Sequence, residues 1–187
     1  MRVNGLAIGA SILLIACGDG NCQQLAKSAP AEPKTKLESF DKQTGAVLIK
    51  GFSDPGKVTG MGVVSVMCME FTDASTGKRQ TGIVIEVTES VGRSDRSFID
   101  YDEIDALLKG IDYICKIRPD ATRLANFEAI YKTKGDVSVT TFSSSGKIDA
   151  AVKSGYIGSA TAYFSLQQLA EFKGLIAKAK QKLDSLQ

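Results

Sequence analysis

The chain has 187 residues, a formal charge of +2, four cysteines, no histidine and no tryptophan. That length buries a real core, in one domain or two small ones. The missing histidines exclude Ser-His-Asp triads and histidine metal centres, the lack of any CxxC pair excludes a structural zinc cluster, and the near-neutral charge gives no global attraction to nucleic acid.

The N-terminal stretch "MRVNGLAIGASILLIAC" has one basic residue, Arg2, an apolar run over 6–15, and Ala16 directly before Cys17. The run is too short for a membrane span and has the layout of a signal peptide over 1–16. Leu14, Ile15, Ala16 and Cys17 resemble the lipobox of bacterial lipoproteins. There the cysteine takes a lipid and becomes the new N-terminus. The resemblance covers the first 17 residues and implies export, with a lipid on Cys17 holding the chain to the membrane of the cell envelope. Ordinary secretory cleavage near the same point and a retained N-terminal helix are the other readings. Residues 17–40 carry Pro30, Pro33 and alternating charges with no apolar period, so a flexible tether is expected.

From residue 45 the apolar period becomes two. "GAVLIKG", "GVVSVMCMEF" and "GIVIEV" are three strands leading to a short fourth at Phe98 and Ile99. A helix is then expected over 101–116, burying Ile104, Leu107, Leu108, Ile111, Ile114 and Cys115. After a connector over 118–125, "FEAIYKTKG", "GDVSVTTF" and "KIDAAV" repeat the strand order, and a second helix is expected over 166–186, burying Leu169, Phe172, Leu175, Ile176, Ala179 and Leu183. At a spacing of 65, Phe98 falls on Tyr163, Asp100 on Ser165, Glu103 on Gln168 and Leu107 on Phe172. The expected fold is therefore α+β: two tandem ββββα pseudo-repeats, 41–118 and 119–187, with antiparallel sheets each covered by a C-terminal amphipathic helix.

The same alignment decides how the acidic cluster is read. Asp100 and Glu103 occupy the N-cap and N3 positions that Ser165 and Gln168 occupy in the second copy, so all four are expected to cap helices. Asp102 and Asp105 lie in a first helical turn, where the positive helix end favours them, and are the residual candidates for a Ca²⁺ ion. The spacing lacks the glycine and glutamate of an EF-hand, and no cofactor is implied. With Cys17 taken by lipid, Cys68 and Cys115 are the most direct disulfide pair in an oxidising compartment, plain core positions being the other reading. Ser-x-x-Lys occurs at 75–78 and 144–147, but in turn-rich runs without the companion elements of serine acyltransferases. Carboxylate pairs such as Asp136 with Asp149 or Glu70 with Glu86 are unselected by any pattern.

Two binding surfaces remain. "VVSVMCM" over 63–69, with Met61, Met67 and Met69, is apolar at nearly every position and suits a strand covered on both faces or an assembly interface. The outward positions Ser138, Thr140, Asp149 and Lys153 make the second sheet wetter, so a cleft is expected there. Arg79, Lys132, Lys134, Lys147 and Lys153 are candidates for a basic face, or for a lysine-dotted sheet edge that resists aggregation. The order of elements over 45–186 resembles the tandem ββββα architecture of the whirly single-strand-DNA-binding family. That family's lysine-glycine-lysine element is only loosely echoed by "IKG" at 49–51 and "KTKG" at 132–135. The resemblance implies a sheet that holds nucleic acid and helices that organise an oligomer, with no site residue carried over. The export signal, balanced charge and absence of tryptophan depart from a single-strand binder. The expected function is thus an envelope-located binding or structural protein acting through a sheet face or edge, as a homo-oligomer or with an envelope partner. Single-strand nucleic-acid binding and a carboxylate-dependent enzyme are the alternatives.

Overall fold

Among the described residues, period-two alternation builds eight strands in two runs of four. The first run is β1 (Leu48–Gly60), β2 (Gly62–Asp73), β3 (Arg79–Thr88) and β4 (Ser94–Asp100), and the second is β5 (Glu128–Lys132), β6 (Ser138–Ser144), β7 (Lys147–Ser154) and β8 (Ala160–Phe164). The computed structural model describes residues 32–144 and 146–186. The expectations for the signal peptide and for Cys17 fall outside them. Each run is a four-stranded antiparallel sheet in sequence order. In the first, Val64, Val66 and Cys68 pair with Val87, Ile85 and Ile83 across the β2–β3 ladder. In the second, Val139 pairs with Val152 and Val152 with Ala162. All these side chains point inward, and the two inner faces share one core.

The helices exchange partners. A 3₁₀ turn (Tyr101–Glu103) leads into α2 (Ile104–Cys115), which packs on β5 and β6 of the second sheet, while α3 (Leu166–Asp184) lies chiefly across β1 and β2 of the first. The Thr141 hydroxyl donates to the Ile114 carbonyl at 3.3 Å, tying α2 to β6. Gln168 Nε2 donates to the Thr59 carbonyl at 2.8 Å, and Cys68 Sγ to that of Ala179 at 3.6 Å, tying α3 to β1 and β2. The expectation that each sheet is covered by the helix that follows it is corrected here. Each helix leaves an edge strand with no loop in which to double back, so its apolar stripe meets the neighbouring sheet. Gly110 belongs to this arrangement: a Cβ there would lie 2.3 Å from Cδ2 of Tyr131.

The helices otherwise follow the sequence pattern. Ile104, Leu107, Ile111 and Ile114 are buried in α2, and Leu169, Phe172, Ile176, Ala179 and Leu183 in α3. Leu108, Cys115 and Leu175 are only partly covered at the rim of the core.

The stretch assigned to the tether ends in structure. Thr35 caps a short helix, α1 (Lys36–Asp41), accepting a hydrogen bond from the Glu38 amide. Leu37 is fully buried against Phe71 and Val84 on the outer face of the first sheet, with Phe40, Met67, Met69 and Phe98 around it. Two apolar residues three apart are too few for a periodicity signal, yet they cover the Phe71 and Val84 part of that face, while Phe52, paired with Met69 on the same face, stays 74% exposed.

Candidate functional site

The residues singled out from the sequence do not converge on one centre. Asp100 makes no capping bond to the helix that follows it. Its carboxylate accepts instead the Lys36 amide at 3.0 Å and the Leu37 amide at 2.9 Å, capping α1 from across the sheet. Glu103 does not cap either. Its Oε1 accepts the Lys134 amide at 2.8 Å, and its Oε2 is buried without a hydrogen-bond partner among the described residues. Ser165 and Gln168 form a reciprocal capping box on α3.

Asp102 and Asp105 face lysines. Lys36 Nζ lies 2.7 Å from Asp102 and Lys180 Nζ 3.7 Å from Asp105. The Lys36 ammonium holds the Asp102 carboxyl below the usual range. Among the described residues no group of three or more His, Cys, Asp or Glu side chains could hold a metal ion. Cys68 and Cys115 are free thiols, one buried in β2 and the other half-buried at the end of α2, which corrects the disulfide expectation. Burial pushes both thiols above their ordinary pKa, so neither is primed as a nucleophile.

The methionine surface is not free. Met67 and Met69 lie under α1, and only Met61, at the β1–β2 turn, is exposed. Of the basic candidates, Lys132, Lys147 and Lys153 share the outer face of the second sheet. Lys134 sits in the β5–β6 turn, and Arg79 lies on the first sheet in a shallow cleft with Lys36, Glu70 and Asp102.

That outer face of the second sheet is a concave surface on which several of these features meet. Directly paired residues on antiparallel strands point the same way. The register therefore makes rows. One runs Ile130, Thr140, Ala151, Tyr163 and, through the bridge between β8 and the β1–β2 turn, Met61. A second runs Lys132, Ser138, Lys153 and Thr161, and a third Glu128, Phe142 and Asp149. Thr140 and Ala151 form a floor between the taller Ile130 and Tyr163, leaving a groove of about 680 Å³. The Phe142 and Tyr163 rings meet edge to face, 6.3 Å apart.

The β1–β2 turn bridges to β8 beside this groove. Met61 and Tyr163 exchange backbone hydrogen bonds of 3.0 Å in both directions. Gly60 permits the approach, because a Cβ there would lie 2.4 Å from the Tyr163 carbonyl oxygen. Ile130, Phe142 and Tyr163 were not read from the sequence as a surface, and Met61 was grouped there with Met67 and Met69 instead, since what unites the four is cross-strand register. The one available signal was that Phe142 and Tyr163 fall at outward phases of their strands.

The charges on the face are nearly balanced: Lys132, Lys147 and Lys153 against Glu128 and Asp149. The surface is an apolar row with a mixed polar rim, suited to holding a ligand. Its carboxylates are not gathered as a catalytic pair. Among the described residues no helix is long and apolar enough to cross a membrane. No protein-family model matches the chain, and no curated protein matches it.

Proposed function

We propose that the chain is a binding protein of the cell envelope, exported by its first 16 residues, anchored through lipid on Cys17, and engaging a polypeptide partner on the open face of its second sheet. One contrast carries this reading. The Met67, Val84 and Phe98 row of the first sheet is covered by Leu37 and Phe40, whereas in the corresponding row of the second sheet Ile130 and Tyr163 stand 47% and 46% exposed on either side of the low Thr140 and Ala151 floor. The first sheet thus supplies the pattern for what fits the second: a short segment presenting one apolar side chain to the row between Ile130 and Tyr163. The two halves, in this reading, are duplicated ββββα units whose outer faces were the same kind of surface. One is now filled by the chain itself, and the other is left for a second copy or another envelope protein.

The test is crosslinking in the envelope with a photoreactive residue at position 161, beside the groove. A partner adduct lost in Ile130→Asp and Tyr163→Ala, yet kept in Phe52→Asp on β1, supports the reading. A strictly monomeric protein with no adduct counts against it. Intact-mass comparison of the membrane fraction for the wild type and Cys17→Ala reads the anchor separately.

The Phe142–Tyr163 ring pair beside three lysines favours one second reading, single-strand nucleic acid laid along the same groove. Oligonucleotide affinity that falls steeply with added salt would support it. No binding at low salt would remove it.

A further inference from the structure

Two neighbouring hairpin tips display bare apolar side chains. Val91, at the apex of the β3–β4 turn, is 84% exposed, and Tyr156 and Ile157, in the β7–β8 loop, are 78% and 90% exposed. The tips are tied side by side: the Thr161 amide donates to Glu89 Oε1 at 3.1 Å, and the Gly155 amide to Ser97 Oγ at 3.2 Å. Loop apices have no reason to carry such residues for the core, and a protruding Tyr-Ile pair suits an apolar phase with a wet boundary.

What covers them is indicated by where the chain enters the fold. Lys34 Nζ lies 2.6 Å from Asp136 and 5.2 Å from the centre of the Tyr156 ring, so the N-terminal segment arrives at this same end. Only 14 residues lie between Cys17 and Glu32, a reach of about 50 Å when fully extended. We propose that Val91, Tyr156 and Ile157 form a membrane-contacting end that seats in the interfacial layer of the bilayer to which Cys17 ties the chain. This rests on the anchoring reading above. Two basic groups at this end are paired, Lys34 with Asp136 and Arg93 with Glu89 at 2.6 Å, so the contact through the three apolar tips is hydrophobic and does not draw on these cations. It also sets orientation: the tips face the bilayer, and the fold stands on them.

The chain contains no tryptophan, so a single introduced one is an unambiguous probe. The full chain carrying Ile157→Trp, or Val91→Trp, is extracted from membranes and reconstituted into vesicles of phosphatidylethanolamine and phosphatidylglycerol containing brominated lipid. Tyr113→Trp and Leu124→Trp, exposed elsewhere, serve as references. The expected result is emission shifted to the blue and progressively quenched in the two tip variants only, equally without phosphatidylglycerol. Unshifted and unquenched emission overturns the proposal. So does a blue shift without quenching, which would mean that protein covers the tips. Intact mass on the same sample keeps the two readings apart. Quenching with unmodified Cys17 retains the tips and removes the anchor, and lipid on Cys17 without quenching does the reverse.

Discussion

Asp100 and Leu37 lie 63 residues apart, yet the carboxylate of one receives the backbone amide of the other at 2.9 Å. With the second bond, from the Lys36 amide, Asp100 fixes α1 over the outer face of the first sheet. Asp100 is only 2% exposed, so Asp100→Ala leaves buried amides unsatisfied and is expected to cost about 2 kcal/mol. The neighbouring Asp102–Lys36 pair is exposed, and Asp102→Ala is expected to cost at most about 1 kcal/mol. Urea unfolding compares the two. Hydrogen exchange over 36–41 should rise in Asp100→Ala before the sheets open.

The two helical glycines carry opposite signs. At Gly110 a Cβ would meet the Tyr131 ring, while at Gly174 nothing lies within 4 Å. Gly174→Ala should raise stability by about 0.5–1 kcal/mol through helix propensity alone. Gly110→Ala gains the same propensity but forces the ring aside, and is expected to lose about 1–3 kcal/mol. Thermal melts of the two variants on either side of the wild type would confirm this, and a stabilised Gly110→Ala would refute it.

The same short pattern at the two strand-to-helix joints was legible once and misleading once. Ser165-x-x-Gln168 makes its capping box from groups three residues apart, and local chemistry is what a sequence displays. Asp100-x-x-Glu103 has equivalent groups, but each is captured by a distant partner, the amides of α1 and that of Lys134. Strand phases and helix stripes were legible because burial of Val64, Ile85 or Phe172 is written in their period. The exchange of helices was not, since an amphipathic stripe does not say which sheet it faces. The groove was half legible: Ser138, Thr140, Asp149 and Lys153 were read as outward, but Ile130, Tyr163 and Met61 join them only through register.

Acid should weaken the fold through two carboxylates. Asp73 Oδ1 accepts the Ser75 hydroxyl at 2.6 Å and the Ser75 amide at 2.8 Å in the β2–β3 turn. These bonds hold Asp73 down at about 2. Asp112 stands between Lys116 and Lys173, each at 2.5 Å, and is likewise held at about 2. An unfolded aspartate titrates near ~3.9, so both groups are depressed by folding. Their contribution is fully present above that value and is lost as pH falls through about 2. Urea midpoints should therefore drop across this window, and less so in Asp112→Asn. An unchanged acid limb in that variant would show that the lysine clamp contributes nothing.

The helix exchange makes a demand on the whole molecule. The first sheet's inner face is covered chiefly by α3, and the second sheet's by α2, so neither half contains the helix its sheet requires. Losing α3 removes Leu169, Phe172, Ile176, Ala179 and Leu183 from the shared core. Truncating one such residue, as in Phe172→Ala, already costs about 3–5 kcal/mol, against a total of about 5–15 kcal/mol for a typical domain. Fragments 32–118 and 119–187, prepared separately, should each lack a cooperative unfolding transition. Mixed in equal amounts, they should recover one, with the near-ultraviolet dichroism of packed tyrosines. A cooperative transition in either fragment alone would mean that its own helix can close its own sheet, and the exchange would then be a preference of the intact chain rather than a condition of its folding.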